Sequence, residues 1–590
     1  MKIIIILFGF IVAKDMWYQN AVWYQIFPDR FYNGDYSNDP TVETLSGTWP
    51  YEEQSGWKLS EWTSDWYKLE SWERVNGKDF YYNAQLRRYG GDLQGIINKL
   101  DYLQELGITA IYLNPVFESP SAHKYGATFY HHIDNNLGPN PQKDIQIWSQ
   151  EVHDDPNTWQ WTTADNLFLN LIKEVHDRDM KIIIDGVFNH SGIPFFALED
   201  VKKNGEGSRY KNWFEINSFD DPNTDEDEFD YEGWSGIKDL PVFKENNGLY
   251  QDNLMMYFKN VVRRWMDPNG DGNPEDGIDG WRLDVAEKVS LEFWNEFRKW
   301  VDEVNPNAYL TGEVWWDNFW DNKMLNASPW IGDHAFHGVM NYRLADVLFK
   351  YFIDEKNKIS SENFSDLLYQ IIDDHGYEQI YYLQNILGSH DTERISSSII
   401  NPDRWIDHAN HMKYNPEFDI GLPTEENIFL LEKIILFQFM FPGTPYIYYG
   451  DEVGMVGADD PDCRKPMLWS EFVYEVEKSH PLGWERESII IKPNLNIFSF
   501  YQNVIKFRKK YNSLNKGRFA VEAYDEELNY IAISRYYMNE KVVGFFSIDK
   551  KKLSENYRKN KKIESIIPDC NKSNNIFSGE QFSVWTCNEQ

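Results

Sequence analysis

Eight short β-rich runs recur along the chain, several of them followed by an amphipathic helical pattern, and this alternation limits the possible folds more than any other feature. The runs are "AVWYQIF" (21–27), "ITAIYLNP" (108–115), "KIIIDGVF" (181–188), "IDGWRLDV" (278–285), "AYLTGEV" (308–314), "HGVMN" (337–341), "QNILGS" (384–389) and "PYIYYG" (445–450). Strands covered by helices on both faces read as continuous apolar runs, as these do. The helical partner is clearest in "NLFLNLIKEVHDR", where Leu167, Phe168, Leu171, Ile172 and Val175 repeat at helical spacing. Eight such units predict a (β/α)8 barrel of the TIM type, an α/β fold whose chemistry sits at the C-terminal ends of the strands.

Polar side chains cluster at those ends: Asn189 and His190 after the third run, Arg282 and Asp284 in the fourth, Glu313 in the fifth, His390 and Asp391 after the seventh. Asp284, Glu313 and Asp391 make a carboxylate set suited to retaining glycoside hydrolysis, which needs a nucleophile and an acid that later serves as base. Net charge narrows the partners further. With 58 basic and 94 acidic residues the chain carries −36, which repels nucleic acid and anionic membranes, so a neutral substrate fits best.

The remaining segments define the organisation. Lys2, the apolar run Ile3 to Ala13 and the small residue Ala13 follow the order of a secretory signal over 1–13, and the run is shorter than the roughly 20 residues of a membrane span. The expectation is therefore a secreted or periplasmic protein without a membrane span. A catalytic barrel is expected over 16–512, with an irregular subdomain inserted after strand 3 at about 191–251 that includes "DDPNTDEDEFD". An earlier insertion, about Thr41 to Arg88, holds Trp49, Trp57, Trp62, Trp66 and Trp72, which serve either sugar stacking or the insertion's own core. Segments such as "YIAISRYY" and "KVVGFFSI" place a C-terminal antiparallel β-sandwich domain at 513–590. Cys570 and Cys587 are close enough in sequence for one disulfide after export, and a reduced pair is equally allowed.

Taken together, "DGVFNH" (185–190), "GWRLDVAEKV" (280–289), "GEVW" (312–315) and "LGSHDT" (387–392) resemble, in order, the four motif regions of the α-amylase family of glycoside hydrolases. The resemblance runs from about Ala21 to Tyr511. It implies Asp284 as nucleophile, Glu313 as acid/base and Asp391 as transition-state stabiliser. It further implies that His190 and His390 bind sugar hydroxyls, that Arg282 supports the nucleophile, and that Asp185 and Asn189 support the site. Tyr130 in "KYGATFYHHID" would be the family's stacking tyrosine, and Asp460 and Arg464 in "DDPDCR" would grip the next sugars. "YQIFPDRFYNGD", "FPGTPYIYYGDEVGM" and "DPDCRKPMLW" look like the neopullulanase/cyclomaltodextrinase branch.

Three features depart from that branch. The first barrel run starts near Ala21 where the branch has an extra domain, Glu287 and Lys288 replace a common Asn-Glu pair, and "LPVFK" is an unusual fifth motif. They shift the expectation to a monomeric α-amylase cleaving internal α-1,4 bonds of starch or maltodextrins. Neopullulanase, cyclomaltodextrinase or 4-α-glucanotransferase activity is the alternative, and an inactive carbohydrate-binding member a remote one.

The resemblance also implies structural calcium, held by Asn33, Asp35, Asn38, Asp39, the carbonyl of Gly90, and Asp92 in "NGDYSND" and "YGGD". A second oxygen-rich loop has Asp267, Asn269 and Asp271 at alternate positions. Position twelve of that loop is Ile278 where an EF-hand needs a bidentate Glu, so it is either a lone calcium clip or an unmetalled turn.

Overall fold

The structure is a computed structural model that describes residues 16–51, 54–221, 223–224, 227–408, 410–526, 530–547, 573–578 and 582–588. The expected signal segment 1–13 and Cys570 lie outside the described residues.

All eight expected runs form strands of one parallel sheet: β1 (Trp23–Ile26), β2 (Ala110–Leu113), β3 (Lys181–Gly186), β4 (Gly280–Leu283), β5 (Tyr309–Gly312), β6 (Gly338–Val339), β7 (Gln384–Asn385) and β8 (Thr444–Tyr448). Their order is β6-β5-β4-β3-β2-β1-β8-β7, and an isolated parallel bridge between Met340 and Gln384 closes the ring. Strand interiors such as Trp23, Ile111, Ile183, Trp281 and Leu310 are fully buried, as strands enclosed by helices must be. The helix Thr163–His176 starts with a reciprocal cap between Thr162 and Asp165 and turns Phe168, Leu171, Ile172 and Val175 into the core. Register then places chemistry: Asp185 on β3 lies directly opposite Arg282 on β4.

Between β3 and the helix Asp252–Met266 the chain forms the helix Phe196–Asn204 and two small antiparallel hairpins, Ile216–Ser218 with Asp230–Tyr231 and Gly233–Trp234 with Ile237–Pro241. The end of this insertion is tied to the mouth of the barrel, since Phe243 N donates to Asn189 O and Ser191 N to Pro241 O.

In the earlier insertion Trp57, Trp66 and Trp72 are buried and serve as core, whereas Trp49 is 41% exposed against Tyr82. The C-terminal domain is a five-stranded antiparallel sheet of β9 (Arg518–Asp525), β10 (Tyr530–Tyr537), β11 (Glu540–Ser547), β12 (Ser573–Ser578) and β13 (Phe582–Asn588), ordered β9-β10-β11-β13-β12. Arg535 joins it to the end of a barrel helix, and Arg508 caps the same helix end from within the barrel. Arg508 donates to the carbonyls of Phe439 and Gly443, and Arg535 to those of Met440 and Gly517, so the last carbonyls of the helix Glu425–Met440 gain partners that the helix cannot supply.

Candidate active site

Arg282 sits at the centre of a carboxylate cluster. Its Nη1 donates to Asp185 Oδ1 (2.9 Å), Asp185 Oδ2 (3.0 Å) and Asp284 Oδ1 (2.8 Å), and its Nη2 lies 2.9 Å from Glu313 Oε1. The two carboxylates that matter chemically thus straddle one guanidinium. Glu313 is fixed on its other oxygen by Val285 N (2.9 Å), and Asp284 Oδ2 is buried with no hydrogen-bond partner. Asp185, fully buried, also accepts from the hydroxyls of Tyr112 (2.6 Å) and Tyr125 (2.9 Å), so it holds Arg282 from below. Burial pushes Asp284 well above the usual carboxylate range; Glu313 and Asp185 add to this, and Arg282 opposes it. Carboxylates this close titrate as a set, so a retained proton belongs to the cluster and not to one residue.

Asp391 faces this group with its side chain 25% exposed, against 6% for Asp284. Arg464 Nη2 donates to its Oδ1 (3.1 Å), while burial, aided by the Glu313 charge and opposed by Arg464, pushes it up to about 7. His390 Nδ1 contacts the Gln25 amide nitrogen (2.9 Å), which leaves Nε2 to carry the ring proton toward Tyr125 Oη and Asp391 Oδ2 (3.2 Å). Burial and the Arg464 and Arg282 charges keep His390 well below its ordinary value. His190 follows the same logic: the Asn189 amide meets its Nδ1 (3.1 Å), and its buried Nε2 has no partner. Burial lowers His190 to about 3, so the ring presents a neutral donor to the cavity.

The tyrosine expectation needs correction. Tyr130 is fully buried among Phe117, Phe188, Phe195 and Phe258, and its hydroxyl donates to His190 O, so its ring cannot face a sugar. Tyr125, five residues earlier, is the one in the site, stacked on His390 with ring centroids 5.4 Å apart. Of two further aromatic residues at the site, Trp315 was expected beside Glu313 in "GEVW" and Trp234 was not anticipated. Trp315, next but one after Glu313, stacks on Tyr342 at 4.0 Å, and Trp234 from the inserted hairpin lies 6.1 Å from His190.

Asp460 and Arg464 are brought together, with Oδ1 and Nη1 3.0 Å apart. Arg464 Nε also donates to His390 O (2.7 Å), linking this pair to β7. The tryptophan-rich insertion supports the same loop: Trp66 Nε1 (2.8 Å) and the Tyr81 hydroxyl (3.1 Å) both donate to Asp462.

The oxygen-rich loops can be tested for cation chemistry. At the first, Asn33 Oδ1 and Asn38 Oδ1 are buried without partners, and Asn33 Nδ2 donates to Asp39 Oδ1 (2.6 Å). Gly90 has φ +74, and a Cβ there would lie 2.5 Å from Asp39 Oδ1, so only glycine lets its backbone approach. Burial raises Asp92 to about 6 even though it caps a helix and accepts from Gly34 N, Asp35 N, Asn38 Nδ2 and Gly95 N. Unpaired amide oxygens beside buried carboxylates suit a hard cation. Asp35 joins least well, because its Oδ1 accepts from Ser37 N and Oγ. At the second loop, Asn269 and Asp271 accept from Asp271 N and Asn273 N in tight turns, while Asp267 Oδ1 and Asp276 Oδ1 are buried without partners.

Comparison with known proteins agrees with this geometry. The family model described as "Alpha amylase, catalytic domain" matches residues 25–156 and 158–517. Neopullulanase 2 of Thermoactinomyces vulgaris is 34% identical over 527 residues, which is 89% of this chain and 69% of that protein. A cyclomaltodextrinase of Thermoanaerobacter pseudethanolicus is 34% identical over 85% of this chain and 66% of its own length. Among solved structures, a cyclomaltodextrinase superposes with a TM-score of 0.63 at 30% identity, covering 90% of this chain and 70% of that one. The Arthrobacter globiformis cyclic α-maltosyl-(1→6)-maltose hydrolase, in complex with that sugar, gives a TM-score of 0.66 at 25% identity, covering 97% and 99%. An eight-stranded barrel with Asp284, Glu313 and Asp391 at its mouth and a family match over most of its length together place this chain in the α-amylase family of glycoside hydrolases.

Proposed function

We propose that this glycosidase acts on short or cyclic α-glucans in the manner of the neopullulanase and cyclomaltodextrinase group, retaining the anomeric configuration through a glycosyl-enzyme intermediate. The observation that carries the chemistry is the single Arg282 guanidinium facing Asp284 and Glu313 at once. On this reading Arg282 keeps negative charge on Asp284, which attacks the anomeric carbon. Glu313 gives the cluster's proton to the leaving oxygen and later takes one from water. Asp391, held by Arg464 and His390, binds hydroxyls of the distorted ring; His190 Nε2 donates to another, and the Tyr125 ring packs on the sugar face. Asp460 and Arg464 hold the adjoining glucose units.

The similarity to a neopullulanase and to cyclomaltodextrinases supports this substrate class over the starch-cleaving α-amylase that the sequence departures favoured. Calcium at Asn33, Asn38, Asp39, the Gly90 carbonyl and Asp92 belongs to the same proposal, with Asp267, Asn269 and Asp271 as a second candidate set. The decisive experiment is a product profile on starch, pullulan, β-cyclodextrin and maltotriose. The expected result is faster turnover of the cyclodextrin or pullulan than of starch; a starch preference returns the endo-α-amylase reading, and products longer than the substrate indicate a glucanotransferase. Glu313→Gln lowers turnover of every substrate by roughly 10²–10⁴-fold while binding is retained. An active Glu313→Gln enzyme overturns the role assignment.

A further inference from the structure

His131 and His132 follow β2 in "TFYHHID" and are both fully buried, and Glu151 approaches them with a buried side chain. One atom from each, His131 Nε2, His132 Nε2 and a Glu151 carboxylate oxygen, all lie within 4.8 Å of one another. Glu151 Oε2 is 2.7 Å from His132 Nε2 but 3.5 Å from His131 Nε2, which has no hydrogen-bond partner. A buried ring nitrogen without a partner is costly, and here it points at a carboxylate that another imidazole already contacts.

The far side of each ring is the more telling observation. His132 Nδ1 meets Asp165 Oδ2 (2.7 Å), and His131 Nδ1 meets Tyr257 Oη (3.0 Å). Both partners are themselves fixed: Asp165 accepts from Ile133 N (2.8 Å) and Arg264 Nη2 (3.0 Å), and Tyr257 Oη accepts from Tyr130 N (2.9 Å). Metal-bound histidines characteristically have the distal ring nitrogen held by an oxygen in this way, which fixes both tautomer and ring orientation. The His131 ring is further clamped by stacking on Trp159, 4.5 Å between centroids and 11° from parallel. A third imidazole stands beside them. His153 has its ring centroid 5.5 Å from that of His131, and its Nδ1 is also buried without a partner.

We infer that His131, His132 and Glu151 form a binding site for a transition-metal dication of the zinc type, distinct from both oxygen-rich loops. Two imidazole nitrogens and one carboxylate oxygen match the ligand set such ions choose, whereas calcium takes oxygen almost exclusively. His153 or water supplies the fourth position. The site fastens the long excursion after β2 to the helices Thr163–His176 and Asp252–Met266, through Asp165 and Tyr257 respectively. It also backs onto the candidate active site, because Tyr130, whose amide bonds Tyr257, donates its hydroxyl to His190 O.

The test uses the full-length protein, stripped with a chelator and titrated with zinc chloride against a chromophoric competitor, with thermal unfolding measured in parallel. Expected is one zinc per chain, a rise in Tm on binding, and visible absorption bands of tetrahedral type when cobalt(II) replaces zinc. His131→Phe keeps the ring stacked on Trp159 and abolishes both the zinc-dependent Tm shift and the cobalt bands. Glu151→Gln retains a polar partner for His132 and loses them as well, so a folding defect in the first variant does not decide the matter. Tyr257→Phe, which removes only the oxygen behind His131, weakens zinc by roughly 10–100-fold. Stripped wild-type protein that shows no stoichiometric zinc uptake, or an undiminished Tm shift in His131→Phe and Glu151→Gln, overturns the proposal and leaves a purely hydrogen-bonded cluster.

Discussion

At the scale of single residues, the carboxylates were legible in the sequence and the aromatic contacts were not. Asp284 and Glu313 directly follow β4 and β5, and Asp391 lies in the loop after β7, so strand position brings all three to one mouth. Tyr125 and Tyr130 share one irregular segment after β2, and only the path of that segment decides which ring reaches His390. Tyr125→Ala is expected to lower kcat/KM by about 10²-fold, since on the proposed reading the ring covers the sugar, and its hydroxyl bonds Asp185. Tyr130→Phe loses about 1 kcal/mol of stability with the hydrogen bond to His190 O and leaves kcat within a few-fold. Steady-state kinetics beside thermal melts separate the two. Arg464 offers a pH test. Its charge opposes the rise at Asp391, so removing it in Arg464→Met raises the Asp391 value further, and the acid limb of the kcat/KM profile moves to higher pH by about one unit. An unmoved acid limb excludes Asp391 as the group that must ionise.

At the scale of elements, all eight strands were anticipated, although most ladders are shorter than the apolar runs that announced them. "HGVMN" pairs regularly only over Gly338–Val339, because Asn341 turns its amide and side chain to β7. The tryptophans between Thr41 and Arg88 resisted reading for a different reason: burial depends on the partner surface, which for Trp66 is the distant "DDPDCR" loop and for Trp57 and Trp72 is the insertion's own Leu45 and Leu86. The Asp267 loop could be separated from an EF-hand because a strand, not a helix, follows it. The join between barrel and C-terminal sheet was invisible in the sequence, since nothing local marks Arg535 as a buried cap on a barrel helix. Arg535→Met removes the donor to the Met440 carbonyl and leaves the Gly517 carbonyl with the Tyr381 hydroxyl alone. It is expected to lower unfolding free energy by about 2–4 kcal/mol, seen as a lower urea midpoint, with kcat/KM unchanged.

At the scale of the whole molecule, the −36 charge is a self-repelling load that any bound dication would relieve. Calcium at the Asn33–Asp92 loop is expected to raise Tm, and EGTA to lower it. At calcium about 100-fold above its Kd the gain is about 2.7 kcal/mol, restored by calcium and not by magnesium. A Tm indifferent to EGTA removes the first loop as a metal site.

The way the barrel closes has a further consequence. Between β6 and β7 the regular ladder gives way to the lone Met340–Gln384 bridge, stitched by Asn341 Nδ2 to Asn385 Oδ1, while β7 is held by Thr311 Oγ1 of β5 at Gln384 Oε1 and by Gln438 Nε2 of the helix Glu425–Met440 at Asn385 O. This is a seam, and Glu313 and Asp391 lie on opposite sides of it, one after β5 and the other after β7. A sugar held by both carboxylates, as proposed, would therefore act as a rivet across the join with the least backbone pairing in the cylinder.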